Sequence, residues 1–369
     1  MTTTATMHPL AKIAAAGLGR KAGTMTDTRH GTTFADATSG EVWVSVVAAA
    51  AADAPEGIAG SITPAPECGE VAAAAMISGR DLRRIIEGVV PACDTETSRY
   101  ALGGTLVEIA EGSMLNVIGT DGRRLHAGHV QPASISGQAA PIVHADHWHA
   151  LEASIRSLVK SVCGASGRRL EAVIDRGTVG ITVTVHKATG GHVVAIKWQS
   201  DAADSHGRTI SVTATAVALA GRFPRWRDVM TEGGRRLTID AAAVAAAAAE
   251  FSTLHRAEEK VGKAAHKAEQ AEKKTRRQPT GPDYRLDRGI DCGPAGMAGC
   301  GIVWAETIPA APVSVRLDQR YIVDALAAAA AWNAASVEVI GTDKHSAVTI
   351  TTGEHGPRLV AVIMPLFRD

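Results

Sequence analysis

From Met76 onward the chain alternates between stretches with apolar residues at every third or fourth position and stretches with apolar residues at every second. In MISGRDLRRIIEGVV, Leu82, Ile85, Ile86 and Val89 fall on one helical face, Ser78 stands as N-cap, and Arg80, Arg83, Arg84 and Glu87 take the other face. Short strand-like runs follow in RYALGGTLVEI and MLNVIGTDGRRLHAGHV, punctuated by Gly103-Gly104, Glu111-Gly112 and Asp121-Gly122. The same order returns in HADHWHALEASIRSLVKSV, whose stripe is Leu151, Ile155, Leu158, Val159 and Val162. That helix leads into LEAVIDRGTVGITVTVH and HVVAIKWQS, both read as strands by near alternation. A third copy starts near Thr238, and a fourth runs from VSVRLDQRYIVDALAAAAAW into SVEVIGTD, SAVTITTG and RLVAVIMPL.

The pattern predicts an α+β chain of repeated helix-plus-antiparallel-meander modules. The phrase VIGTD occurs twice, at Val117–Asp121 and Val339–Asp343, which fits a repeat whose strand-to-turn corner is built the same way each time. Before Met76 the signal is weaker: a helix over His8–Arg20, a strand in EVWVSVVAA, and a Pro/Gly-rich linker, DAPEGIAGSITPAPECGE. The divisions expected are 1–75, 76–232 and 233–369. Within the last, RAEEKVGKAAHKAEQAEKKTRR lacks an apolar stripe and reads as a solvated insertion over about 256–282.

Composition adds mainly exclusions. Lys and Arg number 38 against 38 Asp and Glu, so no global positive field marks a nucleic-acid binder, although segregated faces remain open. Five scattered cysteines without a CxxC pair argue against a disulfide framework and for a reducing cytoplasm. Alanine-rich runs are too short and too often interrupted by charge to span a membrane. The chain carries no Walker loop, no dinucleotide-type glycine turn and no Gly-x-Ser-x-Gly elbow, and CGPAGMAGCG reads as a loop, so an enzyme is not expected. The enzymatic alternative rests on HADHWH, where His144, Asp146, His147 and His149 stand close enough in sequence to be weighed as metal ligands. No second cluster completes such a set, and Asp146 reads more simply as a helix cap.

Several stretches resemble the bacterial β sliding clamps, the ring-shaped processivity subunits of DNA polymerase III. SRYALGGTLVEI with LNVIGTDGRRL is similar to that family's second-domain phrase, and GRFPRWRDVM to its Gly-x-Phe-Pro-x-Tyr motif, with Trp226 at the aromatic position. VRLDQRYIVDAL and LVAVIMPLFRD resemble its last helix and its Val-Met-Pro ending. The resemblance covers about residues 76–369 and implies the DNA-clamp fold, with helices lining a ring and sheets outside. It makes 1–75 a reduced first domain plus linker, 76–232 a second-domain-like clamp domain, and 233–369 a third-domain-like one.

The implied function is that of a DNA sliding clamp without bond chemistry or cofactor. Such a protein encircles double-stranded DNA and tethers the replicative polymerase, the clamp loader and repair proteins at high effective concentration. The implied oligomer is a closed homo-oligomeric ring, a dimer first and a trimer as the other solution. The DNA-facing candidates are Arg80, Arg83, Arg84, Arg156, Lys160 and Arg320. The matching partner-peptide positions, in a cleft between domains two and three, are Arg99, Leu102, Thr120, Gly122, Arg123, Arg124, Leu125, Pro224, Val229, Val362, Met364, Pro365 and Leu366. Arg123 stands where the family often has His, and Asp228 where a basic residue is common. A clamp-fold binding module or decoy that keeps the pocket without the ring is the alternative.

Overall fold

The computed structural model describes residues 23–29, 32–39, 42–50, 68–95, 100–201, 208–230, 235–240, 253, 260, 264, 289–293, 296–297, 302–303, 315–334, 336–341, 346–353 and 358–365. The expected helix over His8–Arg20 lies outside these residues, as does most of the charged insertion, of which Lys260 and Ala264 are helical. The chain divides into two compact units. One comprises Met1–Gly122 with Ala127–Pro224, the other Arg123–His126 with Arg225–Asp369. This division keeps the N-terminal strands with the residues up to Pro224, whereas the pattern reading separates 1–75 from 76–232.

The first unit opens with a meander of β1 (Gly23–Arg29), β2 (Thr32–Ser39) and β3 (Val42–Ala50). The strand expected in EVWVSVVAA is β3. Next come β4 (Cys68–Ser78), α1 (Gly79–Gly88), β5 (Gly104–Ala110), β6 (Leu115–Thr120) and β7 (Arg124–Val130), whose first three residues, Arg124–His126, belong to the second unit. A second run follows: β8 (Ser134–Ala139), short β9 (Ile142–His144), α2 (Ala145–Cys163), α3 (Gly167–Arg176), β10 (Thr178–His186), β11 (His192–Gln199) and β12 (Arg208–Val217). The strands of this unit lie in the order β1-β2-β3-β12-β11-β10-β4-β8-β5-β6-β7, with β9 on β5.

In the second unit the described elements are β13 (Arg235–Asp240), β14 (Gly289–Gly293), β15 (Gly296–Met297), β16 (Ile302–Val303), β17 (Val315–Asp318), α4 (Gln319–Ala331), β18 (Ser336–Gly341), β19 (Val348–Thr351) and β20 (Arg358–Ile363). They form the orders β20-β19-β18-β13 and β16-β15-β14-β17.

The two units share one rule of pairing. In each, the first strand of one repeat pairs with the second strand of the other. In the first unit β4 pairs with β10 and β8 with β5; in the second β13 pairs with β18 and β17 with β14. The helices turn their apolar stripes to these sheets. Leu82, Ile85, Ile86 and Val89 of the first stripe are buried, as are Leu151, Ile155, Leu158 and Val159 of the second, each burial stabilising by about 1.5–3 kcal/mol over exposure. In the second unit Leu317, Ile322, Ala325, Leu326 and Ala329 meet Val337, Ile350, Ala361 and Ile363.

Four local expectations change. LEAVIDR is helix, not strand: α3 spans Gly167–Arg176 and the strand begins at Thr178. Gly164 at φ 58° ends α2 in the left-handed conformation that glycine adopts without penalty, and the chain restarts as a separate helix. The Pro/Gly-rich linker stops short of Cys68, because Cys68–Glu70 already belong to β4. The two VIGTD copies do not mark one corner: the first lies in the third strand of its repeat, the second in the second strand of its own. The stretch expected as a loop at CGPAGMAGCG pairs instead, Cys292 with Met297 and Gly293 with Gly296.

Candidate functional site

Three helices of the first unit share a charged face. Helix α1 starts at Ser78, whose hydroxyl accepts from the Asp81 N–H at 3.1 Å, as the N-cap expectation required. Helix α3 packs on α1 and α2 by an unusually close backbone approach. The Gly79 N–H donates to the Gly177 carbonyl at 2.7 Å, and a Cβ on Gly79 would sit 1.8 Å from the Ile174 carbonyl oxygen. That same oxygen accepts from Trp198 Nε1 at 3.2 Å, which ties the end of α3 to β11.

Carboxylates of α3 then reach the arginines of the other two helices. Arg83 donates through Nε to Asp175 at 2.8 Å and through Nη2 at 2.9 Å, a two-pronged pair, with Glu87 at 3.3 Å and Glu171 at 3.5 Å. Arg156 holds Glu152 at 2.7 Å and Glu171 at 2.6 Å, with Glu87 at 3.8 Å. Arg84 pairs with Asp81 at 3.0 Å and Arg80 approaches Asp175 at 3.7 Å. The hydrogen bond to Asp175 holds the Arg83 proton more tightly than in water. Burial pushes the Asp175 carboxyl up, but its bonds to Arg83 outweigh that and leave it below the usual range. Burial raises Glu87, an effect that the neighbouring arginines only partly offset.

The DNA-facing candidates therefore occupy different settings. Arg83 and Arg156 are committed to carboxylates, Arg80 and Lys160 stay exposed, and Arg320 in the second unit folds back on its own helix start. There Asp318, the N-cap of α4, accepts from the Arg320 N–H at 2.9 Å and takes its guanidinium at 2.9 and 3.2 Å. Arg83→Gln is expected to cost about 1–3 kcal/mol, because it leaves the Asp175 carboxylate, itself only 14 % exposed, without its charged donor. Urea unfolding at neutral pH would check this.

The partner-peptide candidates fall in both units. In the second, the Arg123 carbonyl accepts from the Met364 N–H at 2.9 Å, which sets the end of β20 against the chain just before β7. Arg124 pairs with Asp324 and lies 4.8 Å from the Tyr321 ring centroid, with Arg320 at 5.4 Å from the same ring. Arg123 is exposed, as are Val229 and Met364 at 38 % and 40 %, large apolar side chains left in water. Leu125, Val362 and Pro365 are buried, so their contribution is packing beneath the surface. In the first unit Gly122 and Pro224 are exposed, Leu102 is half-buried, and Thr120 is buried with its hydroxyl accepting from the Gly122 N–H at 3.1 Å. Phe223 and Trp226 of GRFPRW are both buried. Arg99 and Leu366 lie outside the described residues.

The HADHWH cluster does not converge. His144 is the N-cap of α2 and accepts from the Asp146 N–H at 3.1 Å, so the capping residue is His144 and not Asp146. His149 is exposed, while His147 is fully buried on the opposite side. Among the described residues no group of three His, Cys, Asp or Glu side chains is arranged to hold a metal ion, and no helix is long and apolar enough to cross a membrane.

No protein-family model matches the sequence, and no curated protein does either. Solved structures do. A sliding clamp, DNA polymerase III subunit beta, from Pseudomonas aeruginosa bound to griselimycin is 16% identical, with a TM-score of 0.61 over 98% of this chain and 96% of that one. The chain has the DNA-clamp fold. A putative DNA polymerase III beta subunit from Eubacterium rectale is 10% identical, with a TM-score of 0.60 over 97% of this chain and 95% of that one. The Helicobacter pylori beta clamp in complex with 3,4-difluorobenzamide gives 10% identity and a TM-score of 0.60, covering 97% and 96%. The clamp fold accounts for the repeated module; α3 is a second α-helix within its repeat, whereas between α1 and β5 the described residues form two short 3-10 turns, Val90–Ala92 and Tyr100–Leu102.

Proposed function

We propose that the chain is a divergent member of the sliding-clamp family, a non-enzymatic, cytoplasmic processivity factor that closes as a homo-oligomeric ring around double-stranded DNA. The observation that carries this reading is the exchanged first-strand pairing, present in both units of a chain that matches sliding clamps over nearly its whole length. A dimer is the favoured ring, with 1–75 as a reduced first domain and 76–232 and 233–369 as the two full ones. Its partners are the replicative polymerase, a clamp loader and repair proteins that carry short apolar peptides. In the second unit, exposed Met364, bonded through its N–H to Arg123, and exposed Val229 are the apolar anchors of this reading, with Arg123 and Arg124 as its polar rim.

The test is retention on DNA by topology. Protein loaded on nicked circular duplex is expected to survive a high-salt wash and to be released when the circle is linearised. Equal release from both forms would refute the ring. A clamp-fold binding module without a DNA ring is the second reading, and the carboxylates that occupy Arg83 and Arg156 favour it.

A further inference from the structure

Helix α3 has two chemically opposite faces. Glu171 and Asp175 turn to the arginines of α1 and α2, and Ile174 is buried between them. Arg168, Arg169, Ala172 and Arg176 form the exposed side. Arg168 and Arg169 make no ion pair with a described residue, and Arg176, with 65% of its side chain exposed, meets Asp201 only at 3.7 Å. Beside them an open groove of about 590 Å³ is lined by Ser78, Arg80, Arg168 and Arg176, together with the two carboxylates already engaged by Arg83 and Arg156. Exposed charge along this groove is therefore positive and lies mainly on α3, with Arg80 of α1 beside it.

We propose that the exposed face of α3, with Arg168, Arg169, Arg176 and the neighbouring Arg80, is the surface that meets the phosphate backbone of duplex DNA in this chain, in place of Arg83 and Arg156. The proposal rests on the sliding-clamp reading. Charge complementarity selects the occupant: three exposed guanidiniums over a few turns of helix suit a regular row of phosphates, and contacts to phosphate allow movement along DNA without reading bases. Glu171 and Asp175 act as positioning residues, because their bonds to Arg156 and Arg83 fix α3 with its basic side outward.

Fluorescence anisotropy with a linear duplex, titrated across salt concentrations, decides the matter. Each phosphate contact contributes about 0.9 to the slope of log affinity against log salt. The R168Q/R169Q/R176Q variant is expected to bind at least about tenfold more weakly at low salt, with a slope reduced by roughly 2–3 and an unchanged melting temperature. Arg→Lys at the same three positions is expected to restore the slope, which a loss of fold would not allow. An unchanged slope in the Gln variant overturns the proposal. If that variant is nonetheless retained on circular DNA, the assignment to α3 falls and the clamp reading stands. A wild-type chain with neither retention nor salt-dependent affinity sinks both.

Discussion

Gly79→Ala is expected to destabilise the first unit by about 3 kcal/mol and to loosen α3 from α1. Alanine is the better helix former by about 0.5–1 kcal/mol, so on propensity alone the change would help. The geometry decides otherwise. The new methyl would lie 1.8 Å from the Ile174 carbonyl oxygen, and the obstacle is backbone held by Trp198, not the free end of a flexible side chain. Relief requires α3 to move away, which also breaks the 2.7 Å bond from Gly79 to Gly177 and pulls Asp175 off Arg83. Hydrogen exchange should show lost protection across Gly167–Arg176 together with a lower urea midpoint. A melting temperature equal to or above that of the parent would show that the helices are not so close.

Acidification from pH 7.5 to 4.5 is expected to remove about 2 kcal/mol through His147 alone. Burial lowers its pKa from 6.5 to about 4, and although the ring is within reach of the Ala214 backbone, neither nitrogen makes a hydrogen bond of normal geometry. The folded form therefore keeps the imidazole neutral while the unfolded chain takes up a proton near pH 6.5. Its contribution is whole above that value and is lost progressively as pH falls towards 4. His147→Leu should flatten this part of the stability profile, and at neutral pH it should cost little, because a buried polar ring without a good partner is replaced by an apolar side chain. Urea unfolding of both proteins at pH 7.5 and 4.5 measures the difference; parallel profiles would place the acid sensitivity elsewhere.

His147 also shows what spacing alone can disclose. It precedes Leu151 by four positions and so belongs to the apolar stripe of α2, which the cluster of histidines around it obscures. The stripes of α1 and α2 and the alternation in β10 were legible because they are local: each depends on residues within a few turns or pleats. Helix α3 was not, although Leu170, Val173 and Ile174 have helical spacing, because two β-branched residues running into Thr-Val-Gly-Ile-Thr-Val read as the start of a strand. The commitment of Arg83 and Arg156 was hidden for a related reason. A sequence displays a polar helix face but not the acidic helix that lies on it, and the contact joins Arg83 to Asp175 across 92 positions. Motif resemblance named positions at the second-unit corner as candidates, yet it could not separate exposed Met364 from buried Val362, two residues apart.

The exchange of first strands also governs how such a chain can be assembled. Neither β4 with its helix nor β8 with its own completes a sheet, since the edge that closes each comes from the other repeat. The smallest piece that folds cooperatively is thus the pair, and its nucleus must bring together segments about a hundred residues apart before any helix is covered. Slow, all-or-none maturation follows, with half-synthesised chains exposing bare strand edges to one another until the second repeat arrives.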